Sequence, residues 1–439
     1  MSSRKRGRGS HTAERPLLFV NAEQVVTVAG PARARRGPEM RELGIERDAA
    51  VAVEAGVITA VGPRRDVAAR YKRVTEIDCS GGVLMPALVD SHTHAVFGAP
   101  RFAEHEMRAA GMDYMQIARQ GGGIHASVRD VRERSERELL DLARVRLRRL
   151  ASFGVGTIEV KSGYGLSLDD ELKLLRVIRK LASELPLRLV PTFLGAHEVP
   201  QEYRDPPGRR REYIELLVNE MIPRVALDGL ATFADVFCES GVYTADESRE
   251  ILSAAKAAGL AIKLHADELT ACGGAELAAQ LGATSADHLA AISEAGIKAL
   301  AGCGTVATLL PATMVFLGKA AQAPARRMIN AGIPIALATD FNPGTSPTMG
   351  LPLVLTLGVS LLRLSAAECV VAATVNGAAA LGLAERVGQI APGFAADLAL
   401  FEAHDYRELP YWLGARLCRS LWTRGKACDL HDLGVTSMS

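Results

Sequence analysis

The chain of 439 residues carries 51 Lys and Arg against 50 Asp and Glu, a net charge of +1, so its overall balance argues against a nucleic acid or another polyanion as partner. Its 48% hydrophobic content is ample for a sizeable core, and its length exceeds one ordinary domain, so one large barrel with a smaller domain fits. Seven scattered cysteines, odd in number and without Cys-x-x-Cys spacing, argue against a disulfide framework and are expected as reduced thiols in the cytoplasm.

Residues 1–16 are a basic, polar extension that lacks the apolar core of a signal peptide. Its Arg4-Lys5-Arg6-Gly7-Arg8 cluster is too short to argue for a nucleic-acid tail, and a disordered, solvated terminus is expected. Residues 17–82 read as short strands broken by turns, with 50–53 and 57–61 flanking Glu54-Ala55-Gly56 as a hairpin. The apolar run 83–89 follows. Ser135-x-x-Glu138 is a capping box that starts a helix running to Leu150, and Gly154 ends it. Strand-like runs at 155–160 and 187–194 enclose a helical stretch at 169–181, and further strands are expected at 261–265, 305–310 and 333–339. The longest apolar run, 349–362, is too short to span a bilayer and contains Pro352, so it is expected to be buried core and no membrane partner is expected. Near the C-terminus, 396–401 and 420–422 return to strand, followed by a turn at Arg424-Gly425-Lys426.

Strand and helix alternating over about 300 residues means a parallel sheet with right-handed crossovers. The length suits a TIM-like (β/α)8 barrel. An open doubly wound sheet is the alternative, but no Gly-x-Gly-x-x-Gly follows an early strand. The expected α/β architecture is therefore a barrel over 86–385 and a small β-sandwich domain built from both chain ends, 17–85 and 386–432.

Barrel chemistry gathers at the C-terminal ends of the strands. In chain order those ends carry His92-Thr93-His94, Lys161-Ser162-Gly163-Tyr164-Gly165, Gly195-Ala196-His197, Lys263-Leu264-His265-Ala266-Asp267-Glu268, Ser285-Ala286-Asp287-His288 and Ala338-Thr339-Asp340-Phe341-Asn342-Pro343-Gly344. His-x-His alone is compatible with two hydrogen-bonded histidines. Residues i and i+2 of an extended segment share a face, however, so two imidazoles can converge on a divalent metal. Polar clusters at successive strand ends are hard to explain by packing, because buried polar groups without partners are costly.

With these strings the chain resembles the amidohydrolase superfamily and, within it, the imidazolonepropionase family; the resemblance runs from about residue 17 to about 430. The resemblance implies one divalent or trivalent ion per subunit, Zn or Fe, held by His92, His94, His265 and Asp340, with Asp340 also counted among the catalytic groups. It implies that Glu268 moves the proton of a metal-activated water and that His288 orients the nucleophile or polarises the carbonyl. Asp287 is read as a supporting carboxylate, and Lys161 as structural rather than as a carboxylated bridge between two metals. The implied substrate is 4-imidazolone-5-propanoate, hydrolysed to N-formimidoyl-L-glutamate in histidine degradation. Arg101 would clamp its carboxylate, and Tyr164, His197, Glu268, Asn342, Gly344 and Thr345 would make further contacts. A homodimer is implied by the same resemblance. The alternatives are a related deaminase acting on a purine or pyrimidine base, which needs no carboxylate clamp, and a non-catalytic scaffold, which would not retain all four ligands and Glu268.

Overall fold

The computed structural model describes residues 15–429 except 72, 113–115, 118–120 and 205–207. Of the basic extension expected to be disordered, residues 1–14 lie outside the described residues.

Eight parallel strands form the central sheet, each paired with its neighbours in chain order. Numbered within the barrel they are β1 (Leu88–Asp90), β2 (Val155–Lys161), β3 (Arg188–Ala196), β4 (Phe233–Cys238), β5 (Ala261–Ala266), β6 (Ser285–His288), β7 (Val306–Leu309) and β8 (Ile335–Leu337). Most are buried along their whole length, because helices cover the outside while side chains fill the inside. The helices begin where side chains satisfy free N–H groups: Ser135, Thr244 and Ser365 each form a capping box, and Ser167 caps Leu168–Glu184.

The sheet closes at its C-terminal rim. Thr93 bridges Phe341 in parallel, Asp340 N–H donates to the His92 carbonyl at 3.0 Å, and His94 N–H donates to the Phe341 carbonyl at 2.8 Å. The Asp90 carboxylate fastens the same seam, accepting from Thr339 N–H at 3.0 Å and Thr339 Oγ1 at 2.6 Å. The first and last strands therefore meet through the residues expected to carry metal ligands.

Two further sheets flank the barrel. One runs in the order Lys426–Cys428, Cys418–Thr423, Leu398–Phe401, Val83–Pro86, Gln24–Val26 and Ile45–Glu46; the other runs Val57–Pro63, Ala49–Glu54, Leu17–Val20 and Thr75–Asp78. Phe19, Val51, Ile58, Leu84, Leu398 and Trp422 pack between them, with the Phe19 and Trp422 rings edge-on at 4.9 Å. Among the described residues no helix is long and apolar enough to cross a membrane.

Two differences from the sequence expectations are informative. The run 83–89 is not one strand. It breaks at Ala87, whose N–H pairs with Asp397, so Val83–Pro86 belongs to a flanking sheet and Leu88–Asp90 to the barrel. The strand β4 was not anticipated, because Asp235 interrupts its apolar run. That side chain points into a polar barrel interior, where a charge has partners. The apolar run 349–362 forms helix Leu351–Ser360; its Pro352 sits in the first turn, where a missing N–H costs nothing, and Leu351, Val354 and Leu355 are buried.

Glu368 ties the N-terminal segment to the barrel. Its carboxylate caps Ser365 and pairs with Arg326 at 2.6 Å and Arg41 at 3.1 Å. Burial alone would raise its pKa, but Arg326, the Ser365 N–H and Arg41 together pull it down to about 2. A depressed carboxylate contributes stability above its unfolded value and loses it as pH falls toward the folded one. Glu368→Gln should therefore cost about 2–3 kcal/mol in urea unfolding at pH 7. The gap should narrow at pH 4; a gap of equal size at both pH values would remove the ionic contribution.

Candidate active site

The floor of the site is a sealed ionic layer. Lys161 Nζ lies 2.7 Å from Asp235 Oδ2 and 2.9 Å from Glu159 Oε2. Lys263 Nζ donates to Glu159 Oε2 at 3.0 Å and to the Ser91 carbonyl at 2.8 Å. Asp287 lies 3.7 Å from Lys161 and 3.6 Å from Lys263, and all five side chains are fully buried. Burial disfavours the Lys161 ammonium, yet Asp235, Glu159 and Asp287 outweigh it and hold the pKa above the usual value. For Asp235, burial pushes upward, while His265 and Lys161 hold it well below the usual carboxylate range. An ammonium so held has no free lone pair for carboxylation.

This layer sets the histidines above it. His92 Nδ1 donates to Asp287 Oδ2 at 2.7 Å, and Asp287 is itself fixed by Ser285 Oγ at 2.6 Å. His265 Nδ1 lies 3.0 Å from Asp235 Oδ2. Both contacts leave Nε2 facing the barrel mouth. There His92 Nε2 is 3.4 Å from Asp340 Oδ1, His94 Nε2 is 3.5 Å from the same oxygen, and His265 Nε2 is 3.5 Å from His94 Nε2. Four donors about 2.1 Å from one tetrahedral ion would stand about 3.4 Å apart. Among the described residues the buried His92 Nε2 has no hydrogen-bond partner, which leaves it free to ligate. Burial first, and neighbouring positive charge second, push His92 and His94 well below the usual imidazole value, so both rings are neutral, as ligation requires. His288 lies with His92 and His265, and His197 with His94 and His265, in groups whose ligand atoms fall within 4.8 Å of one another. The donor set thus fits a metal ion.

Above the donors stand Glu268 and His288, with Nδ1 3.6 Å from Glu268 Oε2. Burial, then Asp340 and Glu239, raise Glu268 to about 8, and burial raises Asp340 to about 6. The chain reverses sharply at this rim: Asp267, His288 and Asp340 take φ of +48°, +76° and +53°, a region that side chains other than glycine's adopt at a cost.

The remaining expected contacts line one side. Arg101 follows the loop after His94, its side chain largely buried; among the described residues its Nε and Nη1 have no hydrogen-bond partner, and Glu104 is 3.7 Å away. A Cβ on Gly344 would overlap the Arg101 guanidinium where it stands, so glycine leaves that side chain its room. Tyr164 is buried, and its phenol is pushed up by burial and eased down by the charge of Arg101. His197 Nδ1 donates to the Gly163 carbonyl at 3.0 Å, and its ring stacks on His94 at 5.0 Å. Asn342 spends its amide within its own loop, donating to the Asp340 carbonyl and accepting from Gly344 and Thr345 N–H at 2.8 and 2.7 Å. It shapes the loop holding Gly344 and Thr345. Every expected site residue is thus brought to one rim.

The sequence profile of the amidohydrolase family matches residues 98–410. A protein named imidazolonepropionase from Solibacter usitatus is 47% identical over 409 residues, spanning 93% of this chain and 97% of its own. One of the same name from Geobacillus kaustophilus is 46% identical over 417 residues, spanning 94% and 97%. The chain belongs to the imidazolonepropionase family of amidohydrolases. It is accordingly a hydrolase of carbon–nitrogen bonds. Among solved structures, an adenosine deaminase from Xanthomonas campestris with bound zinc matches with a TM-score of 0.69 at 20% identity, over 94% of this chain and 92% of that one. A triazine hydrolase variant matches with a TM-score of 0.67 at 18% identity, over 96% and 97%. At such identities these likenesses bear on the fold alone.

Sequence reasoning missed Glu159, Asp235 and Glu239. Glu159 and Asp235 lie within strands and Glu239 directly after one, and no motif marks them. The only signal was a charge inside an otherwise apolar run. Carboxylates that orient ligating histidines typically govern metal affinity by 10–100-fold. Asp235→Asn should therefore weaken metal retention by roughly that factor in a chelator competition. Unchanged affinity would show that His265 needs no such support.

Proposed function

We propose that the chain binds one metal ion through His92, His94, His265 and Asp340 and hydrolyses the cyclic amide of 4-imidazolone-5-propanoate to N-formimidoyl-L-glutamate. The observation that carries the substrate assignment is Arg101: a largely buried guanidinium that faces Glu104 at 3.7 Å and whose Nε and Nη1 find no hydrogen-bond partner among the described residues, beside a four-donor cluster, suits a substrate that brings its own anion. The names of the nearly full-length relatives support the same reading. A bound ion, Zn or Fe, supplies Lewis acidity toward water and the amide carbonyl.

The chain's own groups do the rest. Glu268, whose proton affinity burial raises, accepts a proton at its carboxylate and returns it to the leaving ring nitrogen. His288 Nε2, buried and without a partner, faces the reacting carbonyl. Arg101 binds the propanoate in two-pronged fashion, and Tyr164 and His197 wall the ring. Asn342 acts through the loop that presents Gly344 and Thr345. Lys161 stays an ammonium in the floor, which argues for one ion and not two. We further propose that the flanking sheets, 17–85 with 386–432, fold as one sandwich domain against the 86–385 barrel, and that the protein is a homodimer of the cytoplasm, which gel filtration and fractionation test.

Metal analysis should give about one ion per chain, with absorbance of the imidazolone falling as N-formimidoyl-glutamate appears. Two tightly held ions per chain would overturn the one-metal site. Glu268→Gln should keep the ion and lose roughly 10²- to 10⁴-fold in kcat. Arg101→Met should lower kcat/KM more than tenfold with metal unchanged, since losing a buried charged partner costs about 2–5 kcal/mol. Arg101→Lys should recover only part of this. If Arg101→Met opened the imidazolone as well as the parent, guanine and cytosine would become the substrates to try.

A further inference from the structure

The carboxylate of Glu268 is held in an uncommon way. Among the described residues no N–H or O–H group donates a hydrogen bond to it, and the nearest cationic candidate, His288 Nδ1, is 3.6 Å away. A group that must take up a proton needs an open oxygen, so its aim has to come from the chain on either side. On the N-terminal side the work falls to Asp267. Its carboxylate accepts from Cys272, Gly274 and Ala275 N–H at 2.9, 3.1 and 3.0 Å, and its carbonyl accepts from Ala291 N–H at 2.8 Å.

On the C-terminal side stands Glu239, a residue with no assigned role. It is 3% exposed, and its carboxylate accepts from Leu269 N–H at 2.9 Å, from Thr270 N–H at 3.4 Å, from Thr270 Oγ1 and from Ser240 N–H at 2.9 Å. Among the described residues no cation pairs with it. A carboxylate buried without a cation is costly, so its place needs a reason other than generic packing. The register supplies one. Cys238 of β4 pairs with Ala266 of β5, which puts Glu239 directly beyond the ladder, level with Asp267. There the chain leaves the sheet and loses its backbone partner. The Glu239 side chain replaces that partner and takes the N–H groups of the two residues that follow Glu268.

We propose that Glu239 is a positioning residue for hydrolysis: by clamping the backbone of Leu269 and Thr270 it aims the Glu268 carboxylate at the reacting atoms. This rests on Glu268 being the proton-accepting group. A misplacement of about 1 Å can cost 10²-fold in rate, so Glu239→Ala should lower kcat by roughly 10- to 100-fold. KM should stay within about threefold and metal content should be unchanged, because Glu239 touches neither the donors nor Arg101. Glu239→Gln keeps one oxygen for the backbone N–H groups and should recover part of the loss. Thr270→Val removes one donor without altering a charge and should lose less than Glu239→Ala.

The deciding experiment is the double variant Glu239→Ala/Glu268→Gln, assayed well below the melting temperature of each protein. A clamp that acts only through Glu268 makes the double variant as slow as Glu268→Gln alone. Losses that add, a wild-type kcat in Glu239→Ala, or loss of metal with the loss of rate would each overturn the proposal. If Glu239→Ala fails to fold, Glu239→Gln and Thr270→Val carry the same cycle. Should Glu268→Gln itself turn over at the parent rate, the reading of Glu268 fails, and that result is separate from any behaviour of Glu239.

Discussion

Everything above the barrel floor depends on one buried layer of charge. Glu159, Asp235 and Asp287 stand against Lys161 and Lys263, formally one negative charge in excess, with no exposure to water. Such a layer is a poor source of stability. Desolvating each ion costs several kcal/mol, and a well-packed apolar substitute is often no worse. Its value lies in what it orients. Asp287 and Asp235 take the Nδ1 side of His92 and His265, so each ring can offer only Nε2 upward. Removing any member would leave its partner as an uncompensated buried charge, which couples the five residues into a unit. The layer therefore trades stability for a fixed direction.

The rim above it is rigid for a different reason. The seam between β1 and β8 runs through the ligand-bearing residues themselves, because His92 and His94 hydrogen-bond Asp340 and Phe341 along the backbone. The donor separations are thus set by closure of the sheet. A metal ion would find them in place instead of assembling them. Strain is tolerated at the same points: Asp267, His288 and Asp340 all sit in the left-handed region, with Asp267 held by Cys272 N–H and Asp340 by Thr313 Oγ1. This is where a backbone would be expected to carry strain, since the side chains must turn inward at the strand ends.

The barrel, its helices and the expected site residues were legible in the sequence because each has a local signature. A capping box announces Ser135, and the strand ends announce themselves by abrupt polarity after an apolar run. Within the run 83–89 hydrophobicity says nothing about which sheet each part joins; the run divides at Ala87, whose N–H pairs with the distant Asp397 carbonyl. β4 was illegible because Asp235 has no partner within its own segment. Its partners Lys161 and His265 come from β2 and β5, and only the closed barrel brings them together. Glu239 escaped for the same reason. Motifs exposed the groups proposed to touch substrate and metal, while the groups that hold those in place have long-range partners and no motif.

The arrangement of charge also accounts for the division of the site into a centre and a side. At the centre, burial favours neutral histidines and raises the proton affinity of the carboxylates, Glu268 to about 8 and Asp340 to about 6. The excess negative charge of the floor lies directly beneath. Such a centre favours a cation and disfavours an anion. The side is the reverse. Arg101 stands with open nitrogens where Gly344 gives it room, and its charge reaches Tyr164 and His197. On the proposed reading, a substrate carboxylate would bind there, and its neutral ring would lie over the donors. On that reading the two fields would orient the molecule before any contact to the ring itself is made, and orientation would follow from where the fold placed its buried charges.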